Sequence, residues 1–245
     1  MRMMPALRRL IAGGLATAAV VSPAHADDHA ARRKAMVAEI LADYRAHGSA
    51  ADARVTEAMG RVPRHEFVPQ ELAARAYENR PLPIGEQQTI SQPYIVALMT
   101  DLARIRKGAR VLEVGTGSGY QAAILADMGA TVFTIEIVPA LARSAHERLA
   151  RLGYRDVEVV TGDGYEGIPP RAPFDAILVT AGASHVPPAL VRQLRPGGRI
   201  VIPVGDPMGY QELTVVEKAA DGAVSTRRVL PVRFVPLTGE SAKRR

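Results

Sequence analysis

The stretch VLEVGTGSGYQ at 111–121 constrains this chain more than any other. It begins as an apolar run of the kind that forms a strand buried on both faces, then breaks into glycines at alternate positions. Gly115, Gly117 and Gly119 stand where a strand hands over to a helix. Without Cβ atoms they let the backbone turn sharply and let a ligand lie against it. The next apolar run, TVFTIE at 131–136, ends on an acid, Glu136. An acid about 20 residues beyond such a loop is where these folds hold ribose hydroxyls. Strand, loop and acid together point to a nucleoside-containing ligand.

The surrounding pattern extends this reading. Strands are expected at 110–115, 131–136, 157–161, 174–180 and 198–204, with helices between them at about 119–128, 139–152 and 186–194. Apolar strands alternating with helices specify the α/β class: a doubly wound, mostly parallel, Rossmann-like sheet covered on both faces. Two later β-rich runs, at 213–218 and 227–237, are expected to pair near one edge. Upstream, the spacing of Met36, Val37, Ile40, Leu41 and Tyr44 predicts a helix from Asp28 to His47. Asp52 is placed to cap a second helix through Val62. Pro63, Pro69, Pro81 and Pro83 then exclude a continuous helix. A third helix is expected from Gln92 to Arg106, with Pro93 in its first turn.

At 245 residues the chain has room for one large α/β domain with a helical extension. Its formal charge is +6, but Arg2, Arg8 and Arg9 contribute three of those charges, which leaves +3 without them. They precede an apolar run from Leu10 to Val21 and then Ala24-His25-Ala26. Basic start, short apolar middle and A-x-A exit describe a secretory signal peptide cleaved before Asp27. The apolar run is shorter than the ~20 residues a membrane span takes. No stable membrane insertion and no nucleic-acid partner are therefore expected. The chain divides into a signal peptide (1–26), a helical N-terminal region carrying an active-site loop (27–108), an α/β domain (109–240) and a short tail (241–245). The absence of cysteine excludes disulfides, thiolate metal sites and a thiol nucleophile.

In a doubly wound sheet, ligands bind beyond the carboxyl ends of the strands where strand order reverses. The glycine loop closes the first strand, Glu136 the second, Gly162-Asp163-Gly164 the third and Thr180-Ala181-Gly182 the fourth. Glu136 is suited to accept both ribose hydroxyls, and Asp163 to meet an adenine amino group. Each has a plainer reading beside this one. Gly119 would also permit close packing of a helix, Glu136 would also cap the helix that follows it, and an acid between glycines is a common turn.

The GxGxG spacing differs from the GxGxxG that cradles a pyrophosphate. It is closer to the loop of methyltransferases that use S-adenosylmethionine (AdoMet), a cofactor without phosphate. No Asn/Asp-Pro-Pro-aromatic element follows the fourth strand, and no thiolate is present for attack on a pyrimidine ring. The six histidines and neighbouring acids show no metal-ligand spacing. Nucleobases and metal-assisted acceptors are thereby disfavoured.

Several segments together resemble one family. TISQPY at 89–94, the glycine loop, GDG at 162–164, FDAILVTAGA at 174–183, LRPGGRIVIPVG at 194–205 and RFVPLT at 233–238 are similar to the protein-L-isoaspartate O-methyltransferases. VPRHEFVP at 62–69 resembles the segment that precedes the family's active loop, and Tyr94 stands where the family usually has histidine. The resemblance implies AdoMet-dependent methylation of the α-carboxylate of L-isoaspartyl residues in age-damaged proteins and peptides. The ester then closes to a succinimide, which reopens in part to normal aspartate. It implies Ser91 as the active-site serine and Thr89, Ile90 and Thr238 as donor-lining residues, with Glu113, Thr116 and Gly164 completing the donor site. The family norm is a cytoplasmic monomer, whereas the leader suggests a periplasmic or secreted protein.

The chemistry suits a site with no base. A peptide carboxylate has a pKa near ~3.3–3.9 and is already an anionic nucleophile at neutral pH. Ser91 would hold one carboxylate oxygen while the other attacks; by position alone, it would also serve as N-cap of the helix at Gln92. His65 is expected to be structural. Two alternatives stay open: another carboxylate substrate for an AdoMet O-methyltransferase, and a non-catalytic AdoMet-binding module.

Overall fold

The structure, a computed structural model, describes residues 23–239, with side chains from Asp28 onward. The expected signal peptide, up to residue 22, and the tail at 241–245 lie outside the described residues. Helix α1 (Pro23–Ala46) is followed by α2 (Ala53–Arg61), which starts where expected: the Asp52 carboxylate accepts the Arg54 N–H at 2.9 Å. Two 3₁₀ turns, Arg64–Phe67 and Gln70–Arg75, lead into a hairpin of β1 (Leu82–Gly85) and β2 (Gln88–Ile90).

That hairpin is not signalled by the sequence. Its turn residues Glu86 and Gln87 have φ of 50° and 58°, the left-handed pair that tight hairpins need. Neither is the Gly or Asn by which such turns are usually recognised. Helix α3 (Pro93–Leu102) ends before the expected Arg106, because Arg104 takes a left-handed φ of 52° that no α-helix continues through.

The main sheet has seven strands in the order β5-β4-β3-β6-β7-β8-β9. They are β3 (Arg110–Val114), β4 (Thr131–Glu136), β5 (Glu158–Thr161), β6 (Phe174–Val179), β7 (Leu194–Gly205), β8 (Gln211–Lys218) and β9 (Val224–Val232). The first five in this order run parallel, and β8 and β9 add antiparallel at the β7 edge. Crossovers through α4 (Tyr120–Asp127) and α5 (Pro139–Arg151) build outward from β3 to β5. The chain then returns to lay β6 on the other side of β3, and α6 (Pro188–Gln193) precedes β7. Strand order therefore reverses between β3 and β6, which sets the crevice at their carboxyl ends.

Side chains alternate between two cores as the strands pleat. Val111, Val132, Leu178 and Val201 face one core, while Leu112, Phe133, Ile177 and Ile200 face the other. The first core also takes Met36, Ile40, Val55, Met59 and Val96 from α1, α2 and α3. The N-terminal helices thus share one buried core with the sheet, and the segment carrying Ser91 is anchored to the layer that carries the glycine loop.

Candidate active site

A cleft opens at the carboxyl ends of β3, β4 and β6, enclosing about 890 Å³ including the solvent at its mouth. Its floor is set by a close approach of two strand ends. The Thr180 hydroxyl donates to the Gly115 carbonyl at 2.6 Å, and a Cβ on Gly115 would stand 2.6 Å from that oxygen. With φ at +99° as well, only glycine fits at Gly115. On the adjoining wall both Glu136 oxygens are engaged: Oε2 accepts the Gly117 N–H at 2.8 Å and Oε1 the Val138 N–H at 2.9 Å. The acid therefore ties the glycine loop to the backbone just ahead of α5, at its N-cap residue Val138. Each oxygen keeps a lone pair that a ribose diol can use.

Deeper in the cleft lies a second acid. Glu113 is 1% exposed, and burial pushes its carboxyl up to about 8, with the Glu136 charge adding to the shift and the Thr134 hydrogen bond opposing it. Thr134 donates to Oε2 at 2.6 Å, and the Thr116 and Thr134 hydroxyls are themselves 2.6 Å apart. Oε1 is buried without a partner. Without ligand, Glu113 thus keeps its proton at neutral pH, and a ligand ammonium beside Oε1 would favour loss of that proton and give the carboxylate a partner. No Lys or Arg is among the described residues lining the cleft. Two acids with no opposing base disfavour a phosphate-bearing ligand and suit a positively charged one, and AdoMet carries an ammonium and a sulfonium. Ile137, 37% exposed and also lining the cleft, offers an apolar face for a flat ring.

Comparison with known proteins agrees with this geometry. The family model for protein-L-isoaspartate(D-aspartate) O-methyltransferase (PCMT) matches residues 34–242. The chain belongs to this family. It is 63% identical over 191 residues to protein-L-isoaspartate O-methyltransferase 2 of Polaromonas sp. (strain JS666), covering 78% of this chain and 90% of that protein. It is 57% identical over 237 residues to protein-L-isoaspartate O-methyltransferase 1 of Cupriavidus necator, covering 94% and 92%. Among solved structures, a Plasmodium falciparum PCMT in complex with S-adenosyl-L-homocysteine superposes with a TM-score of 0.69 at 26% identity, covering 82% of this chain and 97% of that one.

Within the PCMT frame, Thr89 and Ile90 at the end of β2, Ser91 just after it and Thr238 all line the same cleft as the glycine loop. The Ser91 hydroxyl does not cap α3: the N-cap is Gln92, with no side-chain bond, and the Tyr94 N–H is taken instead by Asn79 Oδ1 at 3.0 Å. Ser91 and Thr89 also line a second depression, shared with Ile95, Tyr210 and Phe234 and with the exposed Arg233. The serine thus stands between the nucleoside cleft and an open face that carries a cation.

Tyr94 lines neither space. Its ring stacks on His47 with centroids 5.7 Å apart and meets Tyr44 edge-on at 5.5 Å, so it joins α3 to α1. His65 is held 3.9 Å from His29 in a parallel stack and 2.7 Å from the Tyr77 hydroxyl, away from the cleft, as a structural residue would be.

Two expected donor residues have structural partners of their own beside the cleft. Gly119, at φ +87°, does not line the cleft; a Cβ there would meet Leu149 at 3.2 Å, so it lets α5 approach the start of α4. Asp163 is likewise off the lining: its Oδ1 accepts the Tyr165 N–H at 2.9 Å, and its carboxylate abuts Gly239. These are packing and turn roles that each residue has in its own right, and Gly164, next to Asp163, lines the cleft. Sequence reasoning did not single out Thr134, Ile137 or Asn79. Thr134 carries a signal in retrospect, as a polar residue at a core-facing position within TVFTIE. Asn79 carries none, since its bond crosses from a loop to a helix end 15 residues on.

Proposed function

We propose that this chain transfers the methyl group of AdoMet to the free α-carboxylate of L-isoaspartyl residues in damaged proteins, the first step of their repair through a succinimide. The observation that carries this reading is a cleft with two acids and no base that meets, at Ser91, an open depression bearing Arg233. AdoMet supplies an activated methyl on a sulfonium, and the positive charge is lost when that methyl leaves. Glu136, Gly115 and Gly117 would hold the nucleoside, and Glu113 the amino group. The Ser91 hydroxyl would donate to one carboxylate oxygen and leave the other free to attack. No group need remove a proton, because the acceptor is ionised already. The work of the site is placement in line and exclusion of water, which can supply several orders of magnitude in rate.

Labelled AdoMet with matched peptides containing L-isoaspartate or L-aspartate tests the reading. Selective, base-labile labelling of the isoaspartyl peptide is expected. Labelling of neither peptide with intact nucleoside binding would leave a binding module, and labelling of another carboxylate would redirect the substrate. We further propose export, on the strength of Arg2, Arg8, Arg9 and the apolar run that follows them. N-terminal sequencing of protein from fractionated cells should find a start at Asp27 outside the cytoplasm; an intact Met1 inside it would refute export.

A further inference from the structure

Arg64 is the largest fully buried side chain among the described residues, at 0% exposure, in the 3₁₀ turn that precedes the active loop. A buried cation is costly to desolvate, and an apolar side chain of similar length would fill the same space without that cost. Its hydrogen-bond partners are not carboxylates. Nε donates to the Ala76 carbonyl at 2.8 Å and Nη2 to the Ser91 carbonyl at 2.7 Å. The guanidinium carbon sits 4.8 Å from the centroid of the Tyr120 ring, in the first turn of α4, and Tyr120 lines the nucleoside cleft. Burial lowers its pKa to about 10, so the group stays cationic at neutral pH.

This arrangement uses what only a guanidinium offers: a rigid fork for two carbonyls and a flat face for a ring. The three groups it joins are 12, 27 and 56 residues away along the chain, so local structure alone would not hold them together. We propose that Arg64 is a positioning residue for the acceptor side, fixing the backbone of Ser91 against the start of α4 so that the serine hydroxyl faces the nucleoside cleft. The proposal rests on Ser91 as the residue that holds the acceptor carboxylate.

A double-mutant cycle tests it, with R64M, S91A and R64M/S91A assayed on an isoaspartyl peptide at saturating AdoMet and titrated with S-adenosylhomocysteine by calorimetry. R64M should lower kcat by about 10- to 100-fold, the penalty for small misplacement of a reacting group, and keep the calorimetric Kd within about threefold. In the S91A background the same substitution should cost less than about threefold, since the hydroxyl it would misplace is gone. R64K, which keeps the charge and a hydrogen-bonding head but not the planar fork, should recover part of the loss. Equal factors in both backgrounds would overturn the proposal, as would a Kd that weakens in step with kcat. S91A with full turnover would instead remove the reading of Ser91 on which the proposal stands. If R64M does not fold, R64K is carried through the same cycle with the same outcomes.

Discussion

The two walls of the cleft are built differently. The nucleoside wall rises from ends of parallel strands, where Glu136 grips two backbone N–H groups and Thr180 ties β6 to the glycine loop. The acceptor wall comes from a short hairpin and from the segment after β9, and it opens onto exposed residues such as Arg233 and Tyr210. A ligand that is the same in every turnover is met by fixed backbone. An acceptor that varies from one damaged protein to the next is met by an open face with few specific groups. On the proposed reading, the difference places specificity for the acceptor in Ser91 and the placement of its loop.

Substitutions on each wall should have separable effects. Glu136→Ala removes the acceptor of two backbone N–H groups and, on the proposed reading, of two ribose hydroxyls. At ~1.5–3 kcal/mol for each charged hydrogen bond to the sugar, S-adenosylhomocysteine should bind about 10²–10⁴-fold more weakly by calorimetry, with kcat at saturating AdoMet changed far less. Ser91→Ala should do the reverse, lowering kcat by about 10- to 100-fold and leaving that affinity in place. If the two variants fail in the same parameter, the walls are not independent.

Glu113 sharpens the contrast through pH. Its folded pKa of about 8 lies above the ordinary 4.5, so the fold retains a proton that the unfolded chain gives up. Stability without ligand should therefore decline as pH rises from about 4.5 to 8 and level off beyond. Glu113→Gln lacks this decline, so thermal melts at pH 5, 7 and 9 should show the variant gaining on the parent across the first interval. A constant gap at all three would deny the raised pKa. The smallest effect is expected on the acceptor wall, where Gln87→Gly relieves a left-handed φ in the β1–β2 turn. Unfolding in urea should show a gain of about 0.5–1 kcal/mol.

Legibility followed the same division. The nucleoside wall was readable because strands buried on two faces must be continuous apolar runs; β4 spans Thr131–Glu136 as expected, and the acid at its end lines the cleft. Asp52 was readable because an N-cap is a local event. The acceptor wall was not. The β1–β2 hairpin has Glu86 and Gln87, not glycine or asparagine, at its two central turn positions, so only the resemblance of TISQPY pointed to Ser91. Arg64 was opaque because an arginine between prolines reads as solvent-facing until the fold brings Ala76, Ser91 and Tyr120 around it. Gly119 and Asp163 carry a related ambiguity: glycine and aspartate at a strand end look alike whether they serve a ligand or a neighbouring helix and turn.

The double grip of Glu136 has a metabolic consequence. The groups it and the glycine loop recognise are those that methyl transfer leaves untouched, so the spent thioether fits the same seat as the fresh sulfonium. If Glu136 holds the sugar as proposed, such an enzyme would be throttled by its own by-product, and its throughput would follow how quickly that by-product is cleared from the surroundings as much as how many lesions await repair.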